Sequence, residues 1–479
     1  MRCVTLAKAL TRGGFKCCFV MNAGGQAFFE STQPDGLEVI TFDDDTIIDP
    51  SFLQTHWPQG CALLVVDHYG LDADFEKACR PWAKRILVID DLANRQHDCD
   101  LLLDQTLGRS HDDYATYVPA DCRVMAGPRY ALLRSQFALA REDALSRRQH
   151  NTGPARLLVN LGASDPDNMT RIALEGIALS DINADIDVVI GAGNNAIGTL
   201  RDFARSMPQD VTFYVNVQDM AGLMSRADLA IGAGGTTSWE RCCLGLPTLL
   251  VTIAENQREV AETLAVAGAV TVLGDVSTIT AETTAKNLRS FWNDQSVLRD
   301  MSDAAASICD GWGAQRLWCL LLAPGQAKDT KAVTLDIAAL DNAETIYHWQ
   351  CDPRTRQYAR VAGVPTRDEH FAWVRQTTQN PDCTICMILH DGKAAGVLRF
   401  DLAAGDETLE VSILVAPEKY GLGIGQAALH LGRQLFPGKD LLAEVLPGNE
   451  ASHKMFRRAG YQSLDDTHYL SRPHCSESI

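Results

Sequence analysis

The sequence predicts two consecutive α/β halves of similar build, followed by a smaller α+β domain. Short apolar runs such as CALLVVD (61–67) and RILVIDD (85–91) alternate with longer helical patterns from residue 15 to about residue 275. These runs are continuous and rich in Val, Leu and Ile, which is typical of parallel strands buried on both faces. From about residue 332 onward, successive runs are typical of neighbouring antiparallel strands. A chain of 479 residues is long enough for about three domains.

The first half is predicted to span residues 1–150. Apolar residues at positions 3, 4, 7 and 10 define one face of a helix that ends at Gly13 and Gly14, and a strand follows. Domains of this kind usually begin with a strand that leads into the first helix. We therefore expect the first strand of this half to be missing. Further strands are expected at 61–67, 85–91 and 100–105, and a charged helix at 129–149.

The second half is predicted to span residues 151–323, after a break at Asn-Thr-Gly-Pro (151–154). Residues 324–333 are predicted to be a linker, and 334–479 the third domain, with hairpin turns at 391–392 and 404–405. Ligands of open α/β sheets bind at the carboxyl ends of the strands, which predicts a cleft between the halves. Strands of the second half are expected at 156–162, 187–193, 211–215, 228–234 and 247–253.

Composition and charge argue against several classes of protein. A formal net charge of −18 disfavours a general binder of nucleic acid or anionic membranes. No run approaches the roughly 18 apolar residues of a membrane span, and basic residues interrupt the apolar runs near the start, so no signal peptide is expected. Fifteen cysteines without a leader predict a reduced, cytoplasmic location. Cys383 and Cys386 are expected to be buried strand thiols, and no metal site is expected.

The segment IGAGGTTSWERCCLGLP (231–247) predicts a diphosphate site where a strand enters a helix. Its glycines let the backbone approach a ligand closely, and its hydroxyl residues at 236–238 can cap the helix and donate hydrogen bonds. The free N–H groups and the dipole of the helix start suit a diphosphate. The carboxylate of Glu240, one turn into the helix, suits a ribose diol. A tight strand–helix turn without a ligand is the alternative.

This segment resembles the nucleotide-binding signature of glycosyltransferases of the two-lobed B fold. Five longer stretches extend the similarity: VVDHYGLD (65–72), IDDLANRQHDCDLLLDQ (89–105), GPRYALLR (127–134), LVNLGASDPDN (158–168) and GAGGTTSWERCCLGLPTLLVTIAENQ (232–257). Through them, residues 1–320 as a whole resemble more closely the UDP-2,4-diacetamido-2,4,6-trideoxy-β-L-altropyranose hydrolases of pseudaminic acid biosynthesis. The resemblance implies a glycosyltransferase-B-like fold built from two Rossmann-like halves.

The resemblance also implies which residues bind a UDP-linked sugar. Leu161 and Ala163 would complete the loop that faces the diphosphate. Asn256 has an alternative role as a helix cap, and Asp165 and Asp167 are expected to be turn formers. The implied UDP-sugar-binding residues are Arg2, Gly162, Ser164, Gly234, Gly235, Thr236, Thr237, Glu240, Asn256 and Gln257.

Three residues after a buried strand, Asp67, His68 and Tyr69, are the catalytic candidates of the first half. The resemblance places Tyr69 beside the sugar. Inverting hydrolysis needs a base for water on one face of the anomeric carbon and a stabilised leaving group on the other. UDP is a good leaving group, and helix-terminus electrostatics can hold it without a metal. Strand-end hydrogen bonding is the alternative role for Asp67 and His68.

The start of the chain matches only the end of the family motif G-x-G-H-x-x-R-C. The histidine that the family uses at the reacting centre would lie upstream of Met1 and is absent. We expect that the start codon was assigned too late, because a general base contributes about 10²–10⁴ in rate. The alternative is a truncated, weak or inactive hydrolase, in which His68 could substitute.

A second glycine-rich segment, VAPEKYGLGIGQAAL (415–429), follows a predicted strand and begins an apolar-periodic helix. Another strand leads to Asn-Glu-Ala-Ser (449–452). Together these segments resemble the Gcn5-related N-acetyltransferase superfamily, in which the first grips the acetyl-CoA pyrophosphate and the second meets the pantetheine. A helix start without a cofactor is the alternative. The implied acetyl-CoA-binding residues are Val415, Gly421, Gly423, Gly425, Gln426, Asn449 and Ser452.

Two departures from that superfamily affect its chemistry. Tyr420 stands at or beside the position of a usual Arg or Gln, so one phosphate contact is expected to be lost. Phe456 stands where many members carry a tyrosine that protonates the thiolate. Glu410 is a candidate catalytic base, directly or through water, with a solvated strand carboxylate as the alternative. Arg354 and Arg356 either meet substrate phosphate or lie solvated.

These patterns and resemblances predict a bifunctional cytoplasmic enzyme. Its C-terminal domain would acetylate the 4-amino group of a UDP-linked amino sugar with acetyl-CoA, and its N-terminal unit would hydrolyse the diacetamido product to free sugar and UDP. A B-fold glycosyltransferase is one alternative, and a related nonulosonate pathway with another sugar epimer is a second. A third is a UDP-sugar-binding module attached to an active acetyltransferase.

Overall fold

The computed structural model describes residues 1–22, 25–26, 29, 37–42, 50–150, 155–361, 363–403 and 408–473. The chain folds as two compact units. The larger unit comprises residues 22–34 and 42–313, and the C-terminal unit comprises residues 1–21, 35–41 and 314–479. The predicted breaks at 151–154 and 404–405 lie outside the described residues.

Helix α1 (Arg2–Arg12) precedes strands β1 (Cys18–Asn22) and β2 (Glu38–Phe42), which form a two-stranded sheet. The structure differs here from the predicted first half, because it groups α1 with the C-terminal unit. A Cβ on Gly13 would lie 2.5 Å from Trp318 Cζ2 and 2.8 Å from the carbonyl oxygen of Leu435. The glycine therefore allows the end of α1 to pack closely within that unit.

The first half of the larger unit is a four-stranded sheet with all strands parallel, in the order β3–β4–β5–β6. Strands β4 and β5 are buried along their whole length, as their continuous apolar sequences predict. The elements are α2 (Pro50–His56), β3 (Leu64–Val66), α3 (Ala73–Cys79), β4 (Ile86–Ile89), β5 (Leu101–Asp104) and β6 (Arg123–Ala126).

Helix α4 (Ser135–His150) was predicted to belong to the first half, but it packs with the second. Arg148 donates hydrogen bonds to the main-chain carbonyls of Met224, Ala227 and Leu244. Arg141 donates to those of Cys243, Ala306 and Cys309. Phe137 and Ala144 of α4 share a buried core with Trp239. Two guanidinium groups therefore satisfy carbonyl oxygens at the ends of second-half helices.

The second half continues with β7 (Arg156–Asn160), α5 (Met169–Ser180), β8 (Asp185–Ile190), α6 (Ile197–Ala204), β9 (Val211–Val215), α7 (Met220–Arg226), β10 (Leu229–Ala233), α8 (Thr237–Cys243), β11 (Thr248–Thr252), α9 (Arg258–Val266), β12 (Val270–Asp275), α10 (Ala281–Trp292) and α11 (Gln295–Ile308). The six strands are all parallel, in the order β12–β11–β10–β7–β8–β9. Chain order reverses between β7 and β10. This is the Rossmann order, and its switch point is where such sheets bind ligands.

Alternate residues of these strands enter two separate cores. Leu158 and Leu250 face one core, whereas their neighbours Leu157 and Leu249 face the other. Because side chains alternate across a strand, the sheet is covered on both faces. This explains the continuous apolar runs in the sequence.

The C-terminal unit is built on a mixed eight-stranded sheet in the order β13–β14–β15–β16–β17–β18–β20–β19. The only parallel pair among the described strands of this sheet is β17–β18. Its elements are α12 (Gly313–Leu320), β13 (Gly325–Gln326), β14 (Ala332–Ile337), α13 (Ala343–Cys351), α14 (Pro353–Arg356), α15 (Arg367–Thr378), β15 (Cys383–His390), β16 (Lys393–Leu402), β17 (Thr408–Val415), α16 (Ile424–Leu435), β18 (Asp440–Glu444), α17 (Glu450–Arg458), β19 (Gln462–Ser463) and β20 (His468–Ser471).

The segment predicted as a linker, 324–333, differs in the structure, because β13 pairs with β14 inside it. The predicted turn at 391–392 joins β15 to β16. Asp391 (φ +53°) and Gly392 (φ +72°) both adopt the left-handed conformation that a two-residue hairpin of this type requires. Cys386 is buried, and a hydrogen bond with Cys319 together with burial raises the pKa of its thiol well above the ordinary value. Cys383 is partly exposed.

The predicted fold class is confirmed by these sheets: two parallel α/β halves precede a mixed α+β domain. Through the described ranges, no helix combines the length and the apolar character that crossing a bilayer requires.

Candidate functional site

The glycine-rich turn between β10 and α8 lies at the switch point of the second-half sheet. Gly234 is buried, while Gly235, Thr236 and Thr237 reach solvent. Within the described residues, the main-chain N–H groups of Gly235, Thr236 and Thr237 donate to no protein acceptor. Three consecutive donors are therefore available to an anionic ligand.

Gln257 supports this turn from the segment that follows β11. Its Oε1 accepts hydrogen bonds from the N–H groups of Gly234 and Ile253, each at 3.2 Å. The N–H of Gly234 is thus already used. A Cβ on Gly235 would lie 3.7 Å from Gln257 Nε2, so the amide nitrogen remains next to the open part of the turn.

Arg241 lies beneath the turn and is 2 % exposed. Its guanidinium donates to the Ala233 carbonyl at 2.7 Å, to Thr237 Oγ1 at 3.1 Å and to Ser238 Oγ at 3.0 Å. A guanidinium can only donate, so the Thr237 hydroxyl accepts from it and keeps its own proton for a ligand. The predicted capping by hydroxyls is wrong, because the N-cap residue Thr236 makes no side-chain cap. Sequence reasoning missed Arg241, although its spacing of four from Thr237 was a usable signal.

Glu240, predicted to bind ribose, is paired with Arg134 in the structure. The Glu240 carboxylate lies 3.5 Å from Arg134 Nη2, and its side chain is 12 % exposed. Burial raises the pKa of Glu240, although Arg134 and Arg241 oppose that shift. Arg134 also donates to the carbonyl of Gln218 at 3.2 Å. A ribose hydroxyl that donates to the Glu240 carboxylate would therefore do so next to the Arg134 guanidinium.

The loop after β7 adjoins the glycine turn, because β7 and β10 are paired neighbours. Gly162 adopts φ +102°, and Ser164 is exposed with its carbonyl held by Asn194 Nδ2 at 3.0 Å. The buried carboxylate of Asp165 accepts the N–H groups of Met169 and Thr170 at 2.8 and 2.9 Å. Asp165 therefore starts helix α5, a structural role like the one expected for it.

Asn256 is exposed in the short 3₁₀ helix Glu255–Gln257. The N-cap residue of α9 is Gln257, so the alternative role of Asn256 as a cap is wrong. Arg2 belongs to helix α1, in the C-terminal unit, whereas the other predicted UDP-sugar residues belong to the larger unit.

The catalytic candidates of the first half follow β3 and are all exposed. Tyr69 donates its hydroxyl to Asp91 Oδ2 at 3.3 Å. The N–H of Gly70 donates to His68 Nδ1 at 3.0 Å. Because a main-chain N–H can only donate, neutral His68 carries its proton on Nε2 and is a donor there. Asp67 is therefore better suited than His68 to act as a base.

A buried network at the carboxyl ends of β4 and β5 was not recognised in the sequence. The Tyr114 hydroxyl lies 2.9 Å from Asp90 Oδ2 and 2.8 Å from Asp104 Oδ2, so its single proton is within hydrogen-bonding distance of two carboxyl groups. Burial raises the pKa of Asp104. Burial also acts on Asp90, but the N–H of Ala93 and the charge of Arg95 outweigh it and lower the pKa. The pKa values of the two carboxyl groups are therefore shifted in opposite directions.

Arg109 connects this network to helix α9. Its Nε lies 3.0 Å from Asp104 Oδ2, and its Nη2 lies 3.2 Å from Glu259 Oε2. The second ion pair joins the two halves next to the segment that carries Asn256 and Gln257.

In the C-terminal unit, Gly421 (φ +82°) and Gly423 (φ +80°) form the turn that begins α16. Lys328 holds this turn from the segment between β13 and β14. Its N–H donates to the Leu422 carbonyl and its Nζ to the Gly421 carbonyl, both at 2.8 Å. Sequence reasoning treated this segment as a linker and missed Lys328.

The remaining predicted acetyl-CoA residues have visible structural roles. A Cβ on Gly425 would lie 2.4 Å from Met455 Sδ and 3.3 Å from Val415 Cγ2, so Gly425 permits close helix packing. Gln426 Nε2 donates to the Arg458 carbonyl at 3.2 Å. Asn449 caps α17 by accepting the N–H of Ser452 at 3.1 Å.

Phe456, at the position of the superfamily tyrosine, is buried. It stacks on Tyr469 and meets Tyr461 edge-on, with ring centroids 5.8 and 5.1 Å apart. Arg354 is not simply solvated, since it pairs with Asp352 at 2.7 Å. Arg356 donates to the Val361 and Gly363 carbonyls. Glu410 contacts Arg360, a residue that sequence reasoning did not single out.

Two families match this chain in comparisons with known proteins. Residues 162–311 match the glycosyltransferase family 28 C-terminal domain, and residues 333–462 match the acetyltransferase (GNAT) domain. Among solved structures, MurG of Acinetobacter baumannii is 15 % identical, covers 66 % of this chain and 93 % of its own, and has a TM-score of 0.48. The GNAT domain of S. lividans PAT is 22 % identical over 31 % of this chain and 95 % of its own, with a TM-score of 0.27.

Three relatives are similar in sequence. An uncharacterized protein of Methanocaldococcus jannaschii, MJ1062, is 23 % identical over 84 % of this chain and 81 % of its own. The spore coat polysaccharide biosynthesis protein SpsG of Bacillus subtilis is 30 % identical over 43 % of this chain and 60 % of its own. The UDP-2,4-diacetamido-2,4,6-trideoxy-β-L-altropyranose hydrolase of Campylobacter jejuni is 26 % identical over 43 % and 72 %. The chain is therefore a homologue of that hydrolase, joined to a GNAT acetyltransferase domain.

Proposed function

We propose that this chain is a cytoplasmic, bifunctional enzyme acting on UDP-linked amino sugars. The C-terminal domain transfers an acetyl group from acetyl-CoA to the 4-amino group of the sugar. The larger unit hydrolyses UDP-2,4-diacetamido-2,4,6-trideoxy-β-L-altropyranose to the free sugar and UDP. One observation carries the proposal: a homologue of that hydrolase has three available N–H groups, at Gly235, Thr236 and Thr237, at the switch point of a Rossmann sheet.

In the hydrolytic step, the oxygen of a water molecule attacks the anomeric carbon. The bond from that carbon to the diphosphate oxygen breaks, and UDP leaves with the electron pair. The N–H groups of the turn and the Thr237 hydroxyl stabilise its charge. Asp67 takes the proton of the water, because the Nδ1 of His68 already accepts from Gly70. Tyr69, held by Asp91, lies beside the sugar.

In the acetyl-transfer step, Glu410 takes a proton from the sugar ammonium. The neutral amine attacks the acetyl carbonyl carbon, a C–N bond forms, the C–S bond breaks, and the nitrogen releases its second proton to solvent as the amide forms. The CoA thiolate takes its proton from solvent, because Phe456 has none to give. We assign the turn at Gly421 and Gly423 to the CoA pyrophosphate, with Lys328 holding it in place.

The test measures two products separately: UDP released from the diacetamido sugar nucleotide, and CoA thiol formed from acetyl-CoA and its 4-amino precursor. Thr237→Val should lower UDP release about tenfold or more, as loss of one oxyanion donor does. Its matched control is Thr212→Val, at an exposed position of β9. Glu410→Gln should lower thiol release alone. Equal losses in both assays for either variant would contradict the division of labour.

The match to glycosyltransferase family 28 favours a second candidate, a glycosyltransferase. The same UDP assay separates the two. UDP release without any acceptor supports hydrolysis, whereas release that begins only when a sugar acceptor is added supports transfer. Binding of the sugar nucleotide without release would identify a binding module and refute both.

A further inference from the structure

Two glutamates of the C-terminal unit share one guanidinium. Arg360, from the segment between α14 and α15, lies 2.5 Å from Glu410 Oε1 and 2.9 Å from Glu444 Oε2 through the same Nη2 atom. Glu410 lies on β17 and Glu444 on β18. The ion pairs therefore join a connecting segment to two adjacent strands.

The strand register places both carboxylates on one face of the sheet. Glu410 pairs with Leu442 in the parallel ladder, and Glu444 is two residues beyond Leu442. Side chains repeat every second residue along a strand, so Glu444 and Glu410 point to the same side. The ladder between β17 and β18 ends at this pair, so the carboxylates stand where the two strands part.

The neighbouring charge on this face is already neutralised. Asp401 is the antiparallel partner of Glu410, and Arg399 pairs with it at 2.7 Å. In the part of the chain that the structure describes, Arg360 is the cation that forms ion pairs with Glu410 and Glu444, and its side chain is 53 % exposed. Exposed ion pairs contribute little net free energy. Another cation can therefore replace Arg360 at small cost.

We propose that Arg360 occupies the place of the acceptor ammonium, and that Glu444 positions this ammonium next to Glu410 once Arg360 turns away. The inference rests on the proposed acetyl transfer. It adds that Arg360 competes with the acceptor ammonium for the two carboxylates and that Glu444 positions this ammonium. An ammonium donates to two carboxylates as the Arg360 guanidinium does. Glu410 then takes the proton, and Glu444 keeps its charge and holds the amine for attack on the acetyl carbonyl.

The test is steady-state acetyl transfer to the 4-amino precursor, UDP-2-acetamido-4-amino-2,4,6-trideoxy-β-L-altropyranose. Arg360→Gln should lower the KM for this amine by about two- to fivefold at unchanged kcat, because an exposed competitor is removed. Glu444→Gln should raise the KM by about fivefold or more, with kcat changed by less than about twofold. The matched control is Glu344→Gln, whose carboxylate forms an exposed pair with Arg367 at 2.8 Å, and it should leave both constants unchanged.

A neutral ligand separates this role from a general effect on the domain. The diacetamido product has an uncharged amide in place of the ammonium, so its inhibition constant should not change in Arg360→Gln or Glu444→Gln. An active wild type whose KM for the amine is unaffected by Arg360→Gln would overturn this inference alone. So would an inhibition constant for the product that shifts as much as the KM. A wild type that binds CoA but transfers no acetyl group would overturn the proposed acetylation itself.

Discussion

Gly232→Ala should disrupt the glycine turn of the larger unit by displacing the Arg241 side chain that supports it. A Cβ on Gly232 would lie 2.5 Å from Arg241 Nη1 and 2.8 Å from its Cζ. Arg241 is only 2 % exposed, so its guanidinium has no room to retreat. It must give up its hydrogen bonds to the Ala233 carbonyl and to Thr237 Oγ1.

The expected loss is large for a single methyl group. Removing a partner from a buried charge costs about 3–5 kcal/mol, and forcing extra volume into a packed core adds about 1–3 kcal/mol. Relaxation of the turn reduces the sum of these two costs, so we expect the free energy of unfolding of the larger unit to fall by about 3–5 kcal/mol. The Thr237 hydroxyl also loses its orientation, so the affinity for UDP should fall about tenfold or more.

Scanning calorimetry with and without UDP measures both effects, because the transition that UDP shifts belongs to the unit that binds it. The control is Gly198→Ala in α6, where a Cβ meets no atom within 4 Å. That variant should be as stable as the wild type or gain about 0.5–1 kcal/mol. A Gly232→Ala protein with wild-type stability and UDP affinity would refute the placement of Arg241 beneath the turn.

Three further variants test separate contacts. Asp165→Ala removes the acceptor of two N–H groups at the start of α5 and should cost about 1–2 kcal/mol in the UDP-shifted transition; an unchanged melting temperature would contradict it. Lys328→Gln frees the turn at Gly421 and should raise the KM for acetyl-CoA about three- to tenfold, whereas Lys331→Gln, which removes only an exposed pair with Asp391, should not. Burial raises the pKa of Asp104, so its contribution to stability is present at low pH and is lost as the pH rises through the folded-state pKa. The Asp104→Asn side chain does not titrate. Its free energy of unfolding, measured by chemical denaturation, should therefore rise relative to that of the wild type from about pH 4 upward. A difference between the two free energies that does not change with pH would exclude a raised pKa of Asp104.

Much of the fold was predictable, because a strand that is buried on both faces of its sheet has a continuous run of apolar residues. Strands β4, β5, β10 and β11 are short, apolar and continuous, and they are buried throughout. The placement of α1 and α4 was not predictable from such patterns. An amphipathic helix shows which face it buries, but the sequence does not show which sheet covers that face.

The candidate site was predictable where the main chain supplies the chemistry. The Gly235–Thr237 segment offers free N–H groups at the switch point, as a glycine-rich turn before a helix predicts. Side-chain partners were harder to predict, because they depend on long-range contacts. The pairings of Arg134 with Glu240 and of Arg360 with Glu444 join residues far apart in the chain.

Helix α4 determines where this molecule can be divided. A fragment beginning at residue 155 would lack Arg141 and Arg148, and six carbonyl oxygens would lose their guanidinium donors. An acceptor left without a donor costs about 1–3 kcal/mol, so the six together would cost about 6–18 kcal/mol, which is comparable with the whole stability of a domain. A fragment that begins before Ser135 keeps every one of these donors. Transplanting the second half into another protein therefore requires α4 as its first helix, although the sequence assigns that helix to the half before it.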